Sequence, residues 1–249
     1  MQRKSLKKNS GMGIFHTKEG IELGEVKYSK KKVYEFEDLY PQLLNGDLQN
    51  IDVSYTKFCN IDIDKALKAK NIKANLLHIP PEVIGIEYMK TKATKCSKYN
   101  KIIEIINGSG LLIIQKFVDV NNQETLILNV KSTNKIIIPA GYAYSLINNK
   151  TRPLIALEFM PFNAKNKIVL DDMKGMSYYV IKKNAKKEIV KNPLYKIIEK
   201  YRKIDCKKYY KKYNITPKTP IFRQLLRKPE KFEWFFTPVK NNASNNISL

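Results

Sequence analysis

From Asn75 onward the chain is a succession of short apolar runs separated by Gly, Asn and Pro turns, and that pattern leaves few folds open. Runs of about four to eight residues between turn signals read as strands rather than helices, and their even spacing is that of an antiparallel sandwich or barrel. The expected strands are Asn75–Ile79, Ile84–Thr91, Ile102–Ile106, Leu111–Val118, Thr125–Val130, Ile136–Ile138, Ala143–Ile147, Leu154–Phe159 and Ser177–Ile181, a core over about 75 to 190. Asn121 and Asn122 mark a hairpin tip, and in Pro139-Ala140-Gly141 proline presets φ while glycine accepts a positive φ. A closed double-stranded barrel is expected, because closure removes exposed sheet edges.

The flanks differ in character. The first ten residues, MQRKSLKKNS, are basic and polar and read as a loose arm. Over Val33 to Leu44, Phe36, Leu39, Tyr40, Leu43 and Leu44 recur at helical spacing, and Lys65 to Lys70 reads as a short helix after Asp62 and Asp64. After Asn192-Pro193, the stripe Leu194, Ile197, Ile198, Tyr201 and Ile204 predicts an amphipathic helix with lysines on its polar side. A second helix is expected over Ile221 to Leu226, then an aromatic cluster of Phe232, Trp234, Phe235 and Phe236, then a disordered end, NNASNNISL. The expected organisation is an N-terminal arm and α/β embellishment over 1–50, a barrel over 51–196 and a basic, aromatic helical extension over 197–249.

No apolar run approaches the roughly 18 residues of a membrane span, and no secretory signal is evident, so a cytoplasmic protein without membrane contact is expected. Cys59, Cys96 and Cys206 are far apart and form no C-x-x-C pair, which argues against a disulfide framework or zinc cluster. A net charge of +23 would ordinarily point to an anionic partner. Lysine supplies nearly all of it, however, alongside abundant Asn and Ile, as AT-rich coding produces without selection for a ligand. Arginine, the side chain that grips phosphate bidentately, is scarce.

Several patterns, in unbroken order over about residues 50 to 196, resemble the metal-dependent, cupin-type glucose-6-phosphate isomerases. IPPEVIGIEYMKTKATKC is similar to their I-P-P…G…E-Y-x-K-T-x-G-H-x-H entry strand, and KIIEIINGSGLLIIQ to E-x-Y-x-x-x-x-G-x-G-x-x-L-L-Q. IIIPAGYAYSLIN resembles V-x-x-P-P-x-x-A-H-x-x-x-N, ALEFMPFNAKNK has the spacing of Y-P-A-D-A-G-H-D-Y, KGMSYYVI resembles K-G-F-x-x-x-V-V, and NPLYK stands where the family closes its barrel with N-P-x-W-K. The resemblance implies a mainly β cupin jelly roll, and in such enzymes a divalent metal such as iron or manganese in the barrel mouth, serving glycolysis and gluconeogenesis.

Carried over one residue at a time, the family's metal ligands fall on side chains that are poor ligands. The two histidines of G-H-x-H fall on Thr94 and Cys96, the glutamate on Lys101 and the last histidine on Tyr144. His16 and His78, the only histidines, lie at none of these positions. An ammonium in place of a carboxylate repels a bound cation, so no metal cofactor is expected. Sugar-pocket positions are altered as well, to Ile103, Met160, Asn166 and Ile168, while Thr91 stands where the resemblance implies a phosphate contact.

Three readings follow. The first is a cupin that has lost catalysis and binds a sugar phosphate or other small anion through Thr91, Lys101 and Arg152, or serves as a scaffold; Lys101 could equally point to solvent. The second is an aldose-ketose isomerase with a non-standard site, Glu104 acting as base and Tyr144 or Lys101 polarising the carbonyl. The third is nucleic-acid binding by the extension, where lysines interleave with Tyr201, Tyr209, Tyr210, Tyr213 and Trp234. Against the third, the same aromatics would dock the extension on the barrel and leave the lysines wet. The resemblance also implies a homodimer.

Overall fold

The structure is a computed structural model and describes residues 3–46, 48, 52–119, 121–197 and 200–239. Two six-stranded sheets face each other in a jelly-roll arrangement. In the first, antiparallel strands run in the order Lys135–Ile138, Lys101–Asn107, Leu154–Pro161, Ile72–Ile79, Tyr55–Ile61 and Lys30–Tyr34. The second orders Asn166–Ile168, Thr94–Cys96, Ala143–Ile147, Ser109–Asp119, Asn122–Lys131 and Arg202–Lys203. Their ladders stay separate, so the barrel is not closed by hydrogen bonding as expected. Each sheet instead ends on a lysine-bearing edge strand, Lys30–Tyr34 in the first and the two-residue Arg202–Lys203 in the second, and charged or short strands blunt an open edge.

Period-two alternation sorts the apolar runs between two cores. Leu112 and Ile114 point into the space between the sheets, whereas Leu111 and Ile113 pack outward with Tyr178 and Val180. Those last two belong to a four-stranded sheet of Lys186–Lys191, Tyr178–Lys183, Glu87–Tyr88 and Val83–Ile84 that covers the outer face of the second sheet. The outer face of the first sheet is covered by the two ends of the chain, through Leu6, Met12 and Ile14 and through Ile221, Leu225, Phe232 and Phe235, all buried.

Several local expectations are corrected. Residues 3–10 are not a loose arm: Lys4–Ser5 pairs with Ile14–Thr17, and Leu6 and Ser10 are buried, while Met1 and Gln2 lie outside the described residues. Ile84 to Thr91 is not one strand, because Gly85 turns at φ +60° and splits it into short pieces. The Val33–Leu44 stretch is helical only over Phe36–Leu39 and in a 3-10 turn at Tyr40–Gln42, since Val33 and Tyr34 are drawn into pairing with Thr56 and Tyr55. Over the described residues of 194–204 the expected amphipathic helix is absent; Ile198 lies outside the described residues, Leu194 and Ile197 are exposed, and Arg202–Lys203 instead pairs in parallel with Leu126 and Ile127. Edge pairing has overridden helical periodicity there.

Other expectations are met. The short helix appears as Ala66–Ala69, with the Asp62 carboxylate accepting from the backbone N–H groups of Ile63, Leu67 and Lys68 at 2.8–3.0 Å. Gly141 has φ +84°, and Tyr142 N–H closes its turn onto the Pro139 carbonyl at 3.2 Å. The helix Ile221–Arg227 forms as expected, and the three cysteines are free. The NNASNNISL end lies outside the described residues. Among the described residues no helix is long and apolar enough to cross a membrane.

Candidate functional site

The strand Leu154–Pro161 is apolar throughout except for Glu158, which is fully buried between the sheets. A lone carboxylate in such a run must find donors or lose its charge. Here it finds five. Oε1 accepts from Tyr144 Oη at 2.6 Å, Asn166 Nδ2 at 2.7 Å and Lys101 Nζ at 3.1 Å, and Oε2 accepts from Asn75 Nδ2 at 2.8 Å and Lys57 Nζ at 3.0 Å. Burial alone would raise the Glu158 carboxyl, but Lys57, Lys101, Tyr144 and Asn75 outweigh it and hold the group well below the usual carboxylate range.

Register explains the convergence. Glu158 stands opposite Asn75 on one neighbouring strand and Ile103 on the other, which places Lys101, two residues before Ile103, on the same inward face. From the facing sheet Tyr144 projects toward the carboxylate, with Thr94 paired beside it. Lys101 Nζ also donates to Asn166 Oδ1 at 3.0 Å and lies 4.3 Å from the centre of the Tyr144 ring. Desolvation pulls the Lys101 ammonium below the usual lysine range and Glu158 offsets this in part; burial and the adjacent Glu158 charge push the Tyr144 hydroxyl well up.

Above this buried cluster opens a cleft of about 320 Å³, whose walls include Lys32, Lys57, Lys73, Asn75, Thr94 and Asn166, with Met160 and Ile168 beside them. Three lysines line it, and no Asp or Glu does. Glu158 lies beneath, its charge taken up by Lys57 and Lys101. Lys73 Nζ donates to the Ala164 carbonyl at the rim, and burial lowers its ammonium below the usual range.

Of the residues singled out from sequence, Thr94, Lys101 and Tyr144 are brought together, and Lys101 points inward, not to solvent. Cys96 is buried close by but packs with Met160, Ala164 and Tyr99. Thr91 is buried, its hydroxyl accepting from Leu146 N–H at 3.1 Å and its carbonyl from Ser145 Oγ at 2.6 Å. Arg152 is exposed, before Leu154 and so at the end of that strand away from Glu158.

Glu104 is not brought to this point. Three residues from Lys101 on one strand, it faces the opposite side of the sheet, where it is fully buried against Lys135 Nζ at 3.3 Å and Ile221 N–H at 3.0 Å. Burial raises its carboxyl to about 7 against the opposing pull of Lys135. A base acting with Tyr144 or Lys101 would have to share their face, and Glu104 does not. Lys32, Lys57, Lys73, Asn75 and Glu158 are site residues that sequence reasoning missed. For Glu158 a signal existed, a single carboxylate in an eight-residue apolar run.

Among the described residues no group of three or more His, Cys, Asp or Glu side chains converges where a metal ion could be held. The profile of the family described as Glucose-6-phosphate isomerase (GPI) matches residues 26–196, which includes every residue of the cluster. No curated protein sequence matches the chain. Among solved structures it is similar to the coconut allergen cocosin, with TM-score 0.39 and 9% identity over 58% of this chain and 36% of that one. It is likewise similar to the 7S globulin of Momordica charantia, with TM-score 0.35 and 14% identity over 49% of this chain and 34% of that one. A protein described as a predicted oxalate decarboxylase from Thermotoga maritima gives TM-score 0.33 and 13% identity over 43% and 80% of the respective chains. The chain thus spans about a third of the length of cocosin and of the globulin.

Proposed function

The chain belongs to the glucose-6-phosphate isomerase family, and from that premise we propose that it is a cupin that binds a small anion, a sugar phosphate by preference, without isomerase catalysis. The observation that carries this is the Lys101–Glu158 pair. At the positions where the resemblance implies metal ligands stand a hydroxyl, a thiol, an ammonium and a phenol, and the ammonium and phenol are both spent on one carboxylate oxygen. Lys101 supplies a covalently attached cation at the heart of the site. A divalent ion there would have to displace it or bear its repulsion at low effective dielectric. The residues present do not fit the family's metal.

Anion binding is supported by the cleft above. Lys32, Lys57 and Lys73 present positive charge, Asn75 and Asn166 present amides, and a volume of about 320 Å³ suits a small phosphorylated ligand. Met160 and Ile168 leave an apolar wall for the face of a sugar ring. The lost-catalysis reading is further supported by Glu104, the acid group that sequence reasoning offers as base, lying across the sheet from the cleft.

Calorimetric titration with glucose 6-phosphate at low salt, beside a coupled isomerase assay with and without added manganese or iron, tests both halves. Saturable binding that weakens at least about tenfold in Lys73→Ala, with no turnover, is the expected result. Turnover above buffer overturns the lost-catalysis half, and absence of binding overturns the anion half.

A further inference from the structure

A concentration of unpaired positive charge lies outside the matched residues, in the C-terminal extension. A cleft of about 430 Å³ is walled by Lys211, Arg223, Arg227, Lys228 and Lys231, and no Asp or Glu lines it. All five cations are exposed, and none is in an ion pair among the described residues. Two of the chain's scarce arginines are among them. Arg223 and Arg227 stand four apart on the helix Ile221–Arg227, one above the other on a single face, where two like charges destabilise a helix unless something negative lies between them.

The cleft is also built. Buried Tyr210, Ile215 and Phe232 contribute an apolar part of its lining, so the cations rim a concave surface rather than scatter over a flat one. The buried Gln224 amide holds the facing wall. Its Oε1 accepts from Thr216 N–H at 2.8 Å, and its Nε2 donates to the carbonyls of Thr216 at 2.9 Å and Thr219 at 2.6 Å. Asn214 Nδ2 donates to the Lys231 carbonyl at 3.3 Å and ties the remaining side. Three successive segments, 210–219, 221–228 and 231–232, are therefore fixed around one space, which lowers the ordering cost of a ligand that enters it.

We propose that this cleft is a second, independent anion site that takes a small ligand carrying two or more phosphates. One phosphate is too few for the charge presented, whereas guanidiniums one helical turn apart are spaced to grip adjacent phosphates bidentately. A single nucleic-acid strand is the less favoured occupant. Stacking bases needs exposed ring faces, and here Tyr213 and Phe235 are buried, while Trp234 packs against Tyr213, Phe232 and Phe235.

The test is calorimetric titration of the full chain at low salt with inorganic triphosphate, with adenosine triphosphate and with an oligodeoxythymidine strand. Variants are Arg223→Ala, Arg227→Ala, their combination and Lys73→Ala, all at surface or rim positions. Expected are triphosphate binding that weakens as salt rises and a loss of at least about tenfold in that binding for each arginine removed. Lys73→Ala, which touches only the barrel cleft, leaves the arginine-dependent component of triphosphate binding unchanged, so failure here is separable from failure of the barrel reading. No triphosphate binding overturns the proposal, as does full affinity in the double variant. Binding of the oligonucleotide without triphosphate replaces it with a strand-binding surface.

Discussion

Lys101 Nζ lies 3.1 Å from Glu158 Oε1, with neither side chain exposed to solvent. A buried ion pair gains little over apolar packing but is costly to break, because removing one partner leaves an uncompensated charge. Glu158→Gln, which strands both Lys57 and Lys101, is therefore expected to cost about 3–5 kcal/mol in urea unfolding. The double variant Lys101→Met, Glu158→Met should be less destabilised than Glu158→Gln, since Lys57 retains some exposure and can reach water. Equal losses in the two would mean that the five-donor cage, rather than the charge pair, dominates.

The metal reading has a direct check. Elemental analysis of the purified protein should find less than about 0.1 divalent ion per chain, as expected where an ammonium occupies the centre of the donor set. Stoichiometric iron, manganese or zinc would contradict it.

Stability should carry two opposed pH slopes. Glu104 titrates near 4.5 when unfolded and near 7 in the fold, so between these values the folded protein keeps a proton that the unfolded chain has lost. Its effect is that stability falls as pH rises from about 4.5 to 7, and is level above. His78 runs the other way: burial lowers it from 6.5 to about 4, the unfolded chain takes up a proton the fold refuses, and stability rises across that window. Glu104→Gln removes only the first slope. Its urea stability should thus gain on the wild type by about 3 kcal/mol between pH 4.5 and 7. A difference that does not change with pH would show that Glu104 stays ionised.

Docking of the extension is expected to be part of the fold's stability. Phe235 is fully buried in the main core, and Phe235→Ala should cost about 3–5 kcal/mol, read as a fall in melting temperature of the whole protein. An unchanged melt would mean that the extension unfolds separately.

Two glycines in the barrel should respond differently. A Cβ at Gly110 would sit 2.3 Å from the Ile147 carbonyl oxygen, which is backbone and cannot yield, so Gly110→Ala forces the strands apart at about 3 kcal/mol. At Gly141 there is open space and only the positive φ to oppose a side chain, so Gly141→Ala should cost about 1 kcal/mol. Thermal melts that rank them in the reverse order would contradict the packing described.

Much of the barrel was legible because each strand is announced locally. Ala143–Ile147 was read to the residue, and the hairpin of Ser109–Asp119 with Asn122–Lys131 was visible in its polar tip. Strand parity also separates Lys101 from Glu104: they are an odd number of residues apart, so they lie on opposite faces. The helix expected after Pro193 failed for the complementary reason. Its apolar stripe was real, but an open strand edge at Leu126 and Ile127 offered the backbone a partner that no local pattern reveals.

What the order of residues determined alone is the mainly β architecture, the family to which 26–196 belong and part of the site, Thr94, Lys101 and Tyr144, because strand period, turn chemistry and motif order are local properties. Only the tertiary structure decided that Lys101 meets Glu158, 57 residues away, and that Glu104 turns its back on both. It alone brought Lys211, Arg223 and Lys231 to the rim of one cleft. Sheet register and the docking of chain ends fix which distant charges become neighbours, and burial then decides whether each must be paired, protonated or left open to a ligand.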